Sequence, residues 1–128
     1  MGSLLLAAQE PAPKVKKVGA APTSPASGKE MFHSYCASCH GLDGKGNGPA
    51  VPALKTPPGD LTPMARKNGG KFPAMNVMSS IKDGTTPGHC SKDMPVWGPI
   101  LSTVSGSPGV VTQRVGNIIG YLESLQVK

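Results

Sequence analysis

Five consecutive residues, Cys36-Ala37-Ser38-Cys39-His40, constrain this chain more than any other feature. The pattern Cys-x-x-Cys-His is the sequence signature of covalent c-type haem attachment. Two thiols three positions apart, on the last turn of a helix and the bend after it, can each form a thioether to one of two neighbouring vinyl groups. The imidazole that follows is then held beneath the porphyrin, where it reaches the iron as the proximal ligand. Thioredoxin-like redox pairs and zinc sites also use Cys-x-x-Cys. A zinc site needs a second ligand pair at short spacing, and a redox pair of that kind needs a βαβ setting. The sequence offers neither.

The composition points the same way. Seventeen Gly and fourteen Pro make up about a quarter of the 128 residues, bordering on the composition of disordered chains. The aromatic residues are few: Phe32, Tyr35, Phe72, Trp97 and Tyr121. A polypeptide this poor in bulk gains a core if a large apolar macrocycle sits at its centre. The formal net charge is +6, but Lys14, Lys16 and Lys17 lie near the N-terminus. From Ser27 onward ten basic and six acidic residues leave +4, scattered along the chain. Nucleic-acid binding calls for basic residues clustered along one element, so that class is excluded.

Residues 1–26 read as a disordered tail and residues 27–128 as one domain. Met1-Gly2-Ser3 resembles an expression scar, and Leu4–Gln9 matches the clipped end of a signal-peptide apolar region. That run is too short to span a bilayer, and no transmembrane helix is expected anywhere. Residues 9–26 carry Pro11, Pro13, Pro22 and Pro25 and read as flexible or polyproline-like. Ser27-x-x-Glu30 has the form of a capping box, so a helix should start near Gly28. It would carry Met31, Phe32 and Tyr35 towards the thiols, with Phe32 and Tyr35 on one face and His33 exposed.

The stretch Gly41–Pro49 is too rich in Gly for helix or strand. It lacks the Gly-Lys-Ser/Thr ending of a phosphate loop and reads as a loop passing close to a flat ligand. A helix is expected over Pro73–Asp83, stopped by Gly84, with Met75, Met78 and Ile81 packing into the core. Residues 85–97 read as irregular and Ser102–Gly109 as a turn. Thr112 is the expected cap of a last helix, where Val115, Ile118, Ile119, Leu122 and Leu125 recur at helical spacing. Gly116 and Gly120, one turn apart, would let a neighbouring helix approach.

From Gly28 to the C-terminus the chain resembles a small monohaem class I c-type cytochrome. The residues that carry the resemblance are the attachment motif with Gly41 after it, Pro52-x-Leu54, Met94-Pro95, and Tyr121-Leu122-Glu123-Ser124-Leu125. The resemblance implies an all-α cytochrome c fold, with few short helices and long Gly/Pro-rich loops wrapped around one covalently bound haem. Its first and last helices would cross at Gly28, Phe32, Ile118 and Tyr121. It implies cofactor contacts from Cys36, Cys39, His40, Pro52, Leu54, Met94 and Trp97, with iron bound by His40 and Met94. The Pro52 carbonyl would accept the second imidazole N–H of His40.

His89 and Cys90, just before Met94, are an unusual neighbourhood for a distal ligand and are read as ordinary loop residues. An iron ligated by His40 and Met94 has no open site, which suits one-electron transfer between protein redox partners rather than enzymatic turnover. The expected protein is a monomeric electron carrier of the respiratory-chain type, periplasmic or at the outer face of the cytoplasmic membrane. Two other classes stand beside it. One is a haem enzyme or sensor, peroxidase-like or sulfur-oxidising, with an open or Cys90-ligated iron. The other is a haem domain of a larger oxidase or dehydrogenase, with the Pro-rich segment as its tether.

Overall fold

The computed structural model describes residues 19–84 and 93–128, and among them it is all helix and loop with no strand. Helix α1 is Gly28–Tyr35, α2 is Ala37–His40, α3 is Met64–Lys67, α4 is Ala74–Asp83, α5 is Trp97–Ser105 and α6 is Pro108–Ser124. A short 3-10 turn covers Val51–Ala53. None of these helices is long and apolar enough to cross a membrane.

Helix α1 starts where the capping pattern places it. The Ser27 hydroxyl accepts the Glu30 N–H at 3.1 Å, satisfying one of the free amides of the first turn. The Ser27 N–H donates to the Ser24 carbonyl at 3.3 Å. Met31 and Phe32 are fully buried, and α1 lies across α6. A Cβ on Gly28 would fall inside the Asn117 carbonyl, so the first residue of α1 touches the backbone of α6 directly. Phe32 packs on Tyr121 with ring centroids 5.4 Å apart. His33 is half-buried rather than exposed, because its Nε2 lies 3.2 Å from the Tyr121 hydroxyl. Tyr35 turns away from Phe32's partner and stacks on Trp97 at 5.2 Å.

Helix α6 buries Val111, Val115, Ile118, Ile119 and Leu122 as one stripe, and α4 and α5 pack on it and on each other. It begins a turn before the expected Thr112, with Ser107 as N-cap and Pro108 at its first position. A proline there gives up an amide that the first turn leaves unbonded in any case. Gly116 and Gly120 admit no helix: an added Cβ at either meets nothing within 4 Å. They lie off the stripe, and Gly28 makes the close approach instead. In α4, Ile81 is buried with Val77 and Met78 against it, and Gly84 ends the helix at φ +65°. Met75, expected in the core, is 77 % exposed in the overhanging first turn.

Residues 19–26, within the stretch expected to be a disordered tail, lie against α1 and α6. Ala20 packs on the core, the Ala21 carbonyl accepts the Tyr35 hydroxyl, and the Pro25 carbonyl accepts Asn117 Nδ2 at 2.7 Å. The buried Arg114 donates to the Thr23 hydroxyl at 2.9 Å and to its carbonyl at 3.0 Å. At the other end of the chain Gln126 joins two segments. Its amide donates to the Leu61 carbonyl at 2.8 Å and the Leu122 carbonyl at 3.1 Å, and accepts the Ala65 N–H at 2.9 Å.

Candidate functional site

The two cysteines and the histidine are set by a single turn of helix. Cys36 ends α1 and caps α2, Cys39 lies within α2, and His40 is its last residue. The His40 N–H bonds the Cys36 carbonyl at 2.9 Å, and Gly41 leaves the helix at φ +78°, outside the range favourable to other residues. The Gly-rich loop then folds back on the motif. The amides of Gly46, Gly48 and Ala50 donate to the carbonyls of His40, Cys39 and Ser38 at 2.8, 3.1 and 2.8 Å. The loop therefore passes close to the motif's own backbone, and no residue of 41–50 lines the cavity described next.

That cavity has two lobes, of about 300 and about 590 Å3, and both are lined by Cys36, His40, Leu61, Met64, Lys67 and Met94. The first lobe runs between α1, α4 and α6, under Phe32, Val77, Ile81, Ile118 and Leu122. The second opens past Tyr35, Cys39, Leu54, residues 56–60 and Trp97. Each lobe falls in the size range of ligand sites, about 300–1,000 Å3. The walls are mainly apolar, with His40, Lys67, Asn68, Asn76 and Ser80 the polar members of the first lobe.

The sequence-based candidates thus converge, with one exception. Cys36, Cys39, His40, Leu54, Met94 and Trp97 line the cavity, whereas Pro52 sits in the 3-10 turn and lines neither lobe. The His40 Nδ1 is buried with no hydrogen-bond partner, so the expected bond to the Pro52 carbonyl is not formed. Met75, a more distant sulfur, is exposed and off the cavity. His89 and Cys90 lie outside the described residues. Leu61, Met64 and Lys67 were not legible as wall residues, because they come from a turn and a four-residue helix. Their one sequence signal is Asp60-Leu61-Thr62, where the Thr62 hydroxyl and N–H both donate to the Asp60 carboxylate. Those two bonds hold the Asp60 carboxyl below its ordinary range.

The electrostatics separate this site from the other uses of Cys-x-x-Cys. Burial pushes the Cys36 thiol up to about 12, with the neighbouring Cys39 adding to the shift. A redox-active pair lowers that value to make a thiolate. Both thiols are free, without a disulfide. Burial also lowers His40, which keeps its imidazole neutral and able to donate a lone pair to a metal. Among the described residues no cluster of three or more His, Cys, Asp or Glu side chains could hold a metal ion. On the far side of the cavity, Asp93 accepts the Lys55 N–H at 3.0 Å and ties the Met94 segment to the chain after the 3-10 turn.

A family model described as Cytochrome c matches residues 25–96, more than half of the chain. The matched stretch starts just before α1, contains Cys36–His40 and ends two residues after Met94. No curated protein matches the chain.

Proposed function

This chain belongs to the cytochrome c family, and we propose that it carries one electron at a time between protein redox partners on a single haem c, held by Cys36, Cys39, His40 and Met94. Members of the family bind haem c and its iron covalently and are typically electron-transfer proteins rather than enzymes. The observation that carries the proposal is the placement of Cys36, His40 and Met94 on the walls of both lobes of one apolar cavity. The residues present fit the group. The protonated thiols would become thioethers, and the buried, neutral imidazole is a competent ligand.

When bound, haem c supplies a ferric–ferrous couple, whose potential a His/Met ligand pair raises relative to two imidazoles. The rest is done by the chain. Pro95 restricts Met94 to an extended backbone, stiffening the segment that presents its sulfur. A neutral thioether suits an apolar wall, where a second thiolate would carry a desolvation cost. Leu54 and Trp97 border the cofactor and exclude water. With His40 and Met94 both engaged no position remains for substrate, so the exposed cofactor edge is the working surface of a monomer. Cytochrome c domains are commonly exported, and the proposal places this one in the periplasm or at the outer face of the cytoplasmic membrane, in a respiratory chain.

Absorption spectra of the ferric and ferrous protein, with and without carbon monoxide, test this. The ferric protein should show the weak red band of a thioether–iron bond, Met94→Ala should abolish it, and Cys90→Ser should leave it. Rapid carbon monoxide binding by the unmutated protein would mean an open site and would replace the carrier with a sensor or peroxidase. A spectrum changed by Cys90→Ser and not by Met94→Ala would mean thiolate ligation.

A further inference from the structure

Residues 20–26 reach the Met94 side of the cavity through a directed chain of hydrogen bonds and two aromatic rings. A guanidinium can only donate and a carbonyl can only accept. Arg114 at one end and the Ala21 carbonyl at the other therefore fix every proton between them. Arg114 Nη1 donates to Thr23 Oγ1 at 2.9 Å, the Thr23 hydroxyl donates to the Tyr35 oxygen at 2.7 Å, and the Tyr35 hydroxyl donates to the Ala21 carbonyl. Bonds aligned head to tail in this way polarise and strengthen one another. The buried Tyr35 ring then lies 5.2 Å from Trp97, tilted by 31°. Trp97 opens α5 three residues after Met94, and Tyr35, Met94 and Trp97 all border the second lobe.

We propose that Tyr35 is a positioning residue for Met94, through which the segment 20–26 clamps the distal side of the cavity. The proposal rests on the reading of Met94 as the iron's sixth ligand. Among the described residues, that residue is bracketed by the Asp93–Lys55 bond on one side and the Trp97–Tyr35 stack on the other. The second is tied to the helix crossing by the place of Tyr35 on α1 and, through its hydroxyl, by Thr23 and Arg114. Loosening it weakens the hold on the Met94 segment from that side while α1 and α6 remain packed.

The experiment uses holoprotein carrying Tyr35→Phe, Thr23→Val, Thr23→Ser or Val111→Ala. Each is titrated with urea while the red ferric band reports the thioether bond and far-ultraviolet circular dichroism reports the helices. Tyr35→Phe keeps the ring and loses the hydroxyl, Thr23→Val breaks the chain one link earlier, and Thr23→Ser restores it. Val111 is buried in α6 and has no place in the chain, so its truncation is the control for plain destabilisation. The expected result is that Tyr35→Phe and Thr23→Val lose the red band at lower urea than the helices. Thr23→Ser and Val111→Ala should keep the two midpoints together. Ferrous carbon monoxide binding should be about tenfold faster in the first two variants, the order expected for a lost hydrogen bond. Coincident midpoints in Tyr35→Phe and Thr23→Val would reduce the segment to a stabilising strap and overturn the proposal. A red band missing from the unmutated protein, or surviving Met94→Ala, would overturn the ligand reading and the clamp with it.

Discussion

Replacing Gly28 with Ala probes the crossing of α1 and α6, and the same change at Gly116 and Gly120 supplies its control. Ala favours a helix over Gly by up to about 1 kcal/mol, and by less at a first helical position such as residue 28. Against this, the new Cβ would occupy the Asn117 carbonyl, a backbone group that cannot rotate aside. Helix α1 must back away, and the fully buried Phe32 then loses its packing on Tyr121. Overpacking of this kind costs about 1–3 kcal/mol, which outweighs the propensity gain. At Gly116 and Gly120 the added methyl meets nothing within 4 Å, and neither has positive φ. Each should gain about 0.5–1 kcal/mol. Urea unfolding of the holoprotein, followed by circular dichroism, reads all three as midpoint shifts at constant slope. Gly28→Ala should shift the midpoint down, and the other two up. If Gly28→Ala proved as stable as Gly116→Ala, the close approach would be refuted.

Other consequences are as direct. Phe32→Ala should cost about 3–5 kcal/mol, as expected for a fully buried ring; a change below about half a kcal/mol belongs to surface positions and would contradict the packing. The cofactor should stay with the polypeptide through acid–acetone extraction, and Cys39→Ala should leave at best one attachment and a poor holoprotein yield. Gln126→Ala removes the three bonds that hold Leu61 and Ala65 to the end of α6. It should cost about 1–3 kcal/mol in urea titration, because a backbone amide is left unpaired. In an iron-free porphyrin form, His40 is unligated and its value is lowered by burial. The unfolded imidazole binds a proton first, near pH 6.5, so stability should fall on acidification below that point and continue falling until the folded value is passed. A urea midpoint that stayed flat between about pH 8 and 5 would contradict the burial.

The attachment motif, the Ser27 cap, the stop at Gly84 and the stripe from Val115 to Leu122 were legible because each rests on local spacing. Helix α5 was not. Its first turn holds Gly98 and Pro99, and Ser and Thr follow, so its composition reads as a turn. Its boundaries were nonetheless available, since proline is tolerated in a first turn and Gly106 supplies the left-handed end at φ +67°. Glycines misled in both directions. Gly116 and Gly120 have the spacing of a helix contact without the neighbour, and the 41–49 loop uses Gly48 to approach Ser38 rather than a ligand. Spacing along one segment cannot say which other segment lies opposite. The same limit hid Leu61, Met64 and Lys67, which reach the cavity because Gln126 ties their turn to a helix sixty residues away in sequence.

The eight-residue length of α1 also sets an order of events as the chain folds. Helices below about 12 residues do not persist alone in water. Helix α1 therefore waits for α6, whose first residue follows it by about eighty positions, a long-range contact of the kind that forms slowly. Until α6 has docked, Cys36 and Cys39 lie on open chain, where any attachment machinery can reach them. Closure of the crossing then buries Cys36. Chain truncated before Pro108 should react with a maleimide at both thiols at the rate of an unfolded peptide, and the interval before α6 docks is the one in which both thiols stay accessible for attachment.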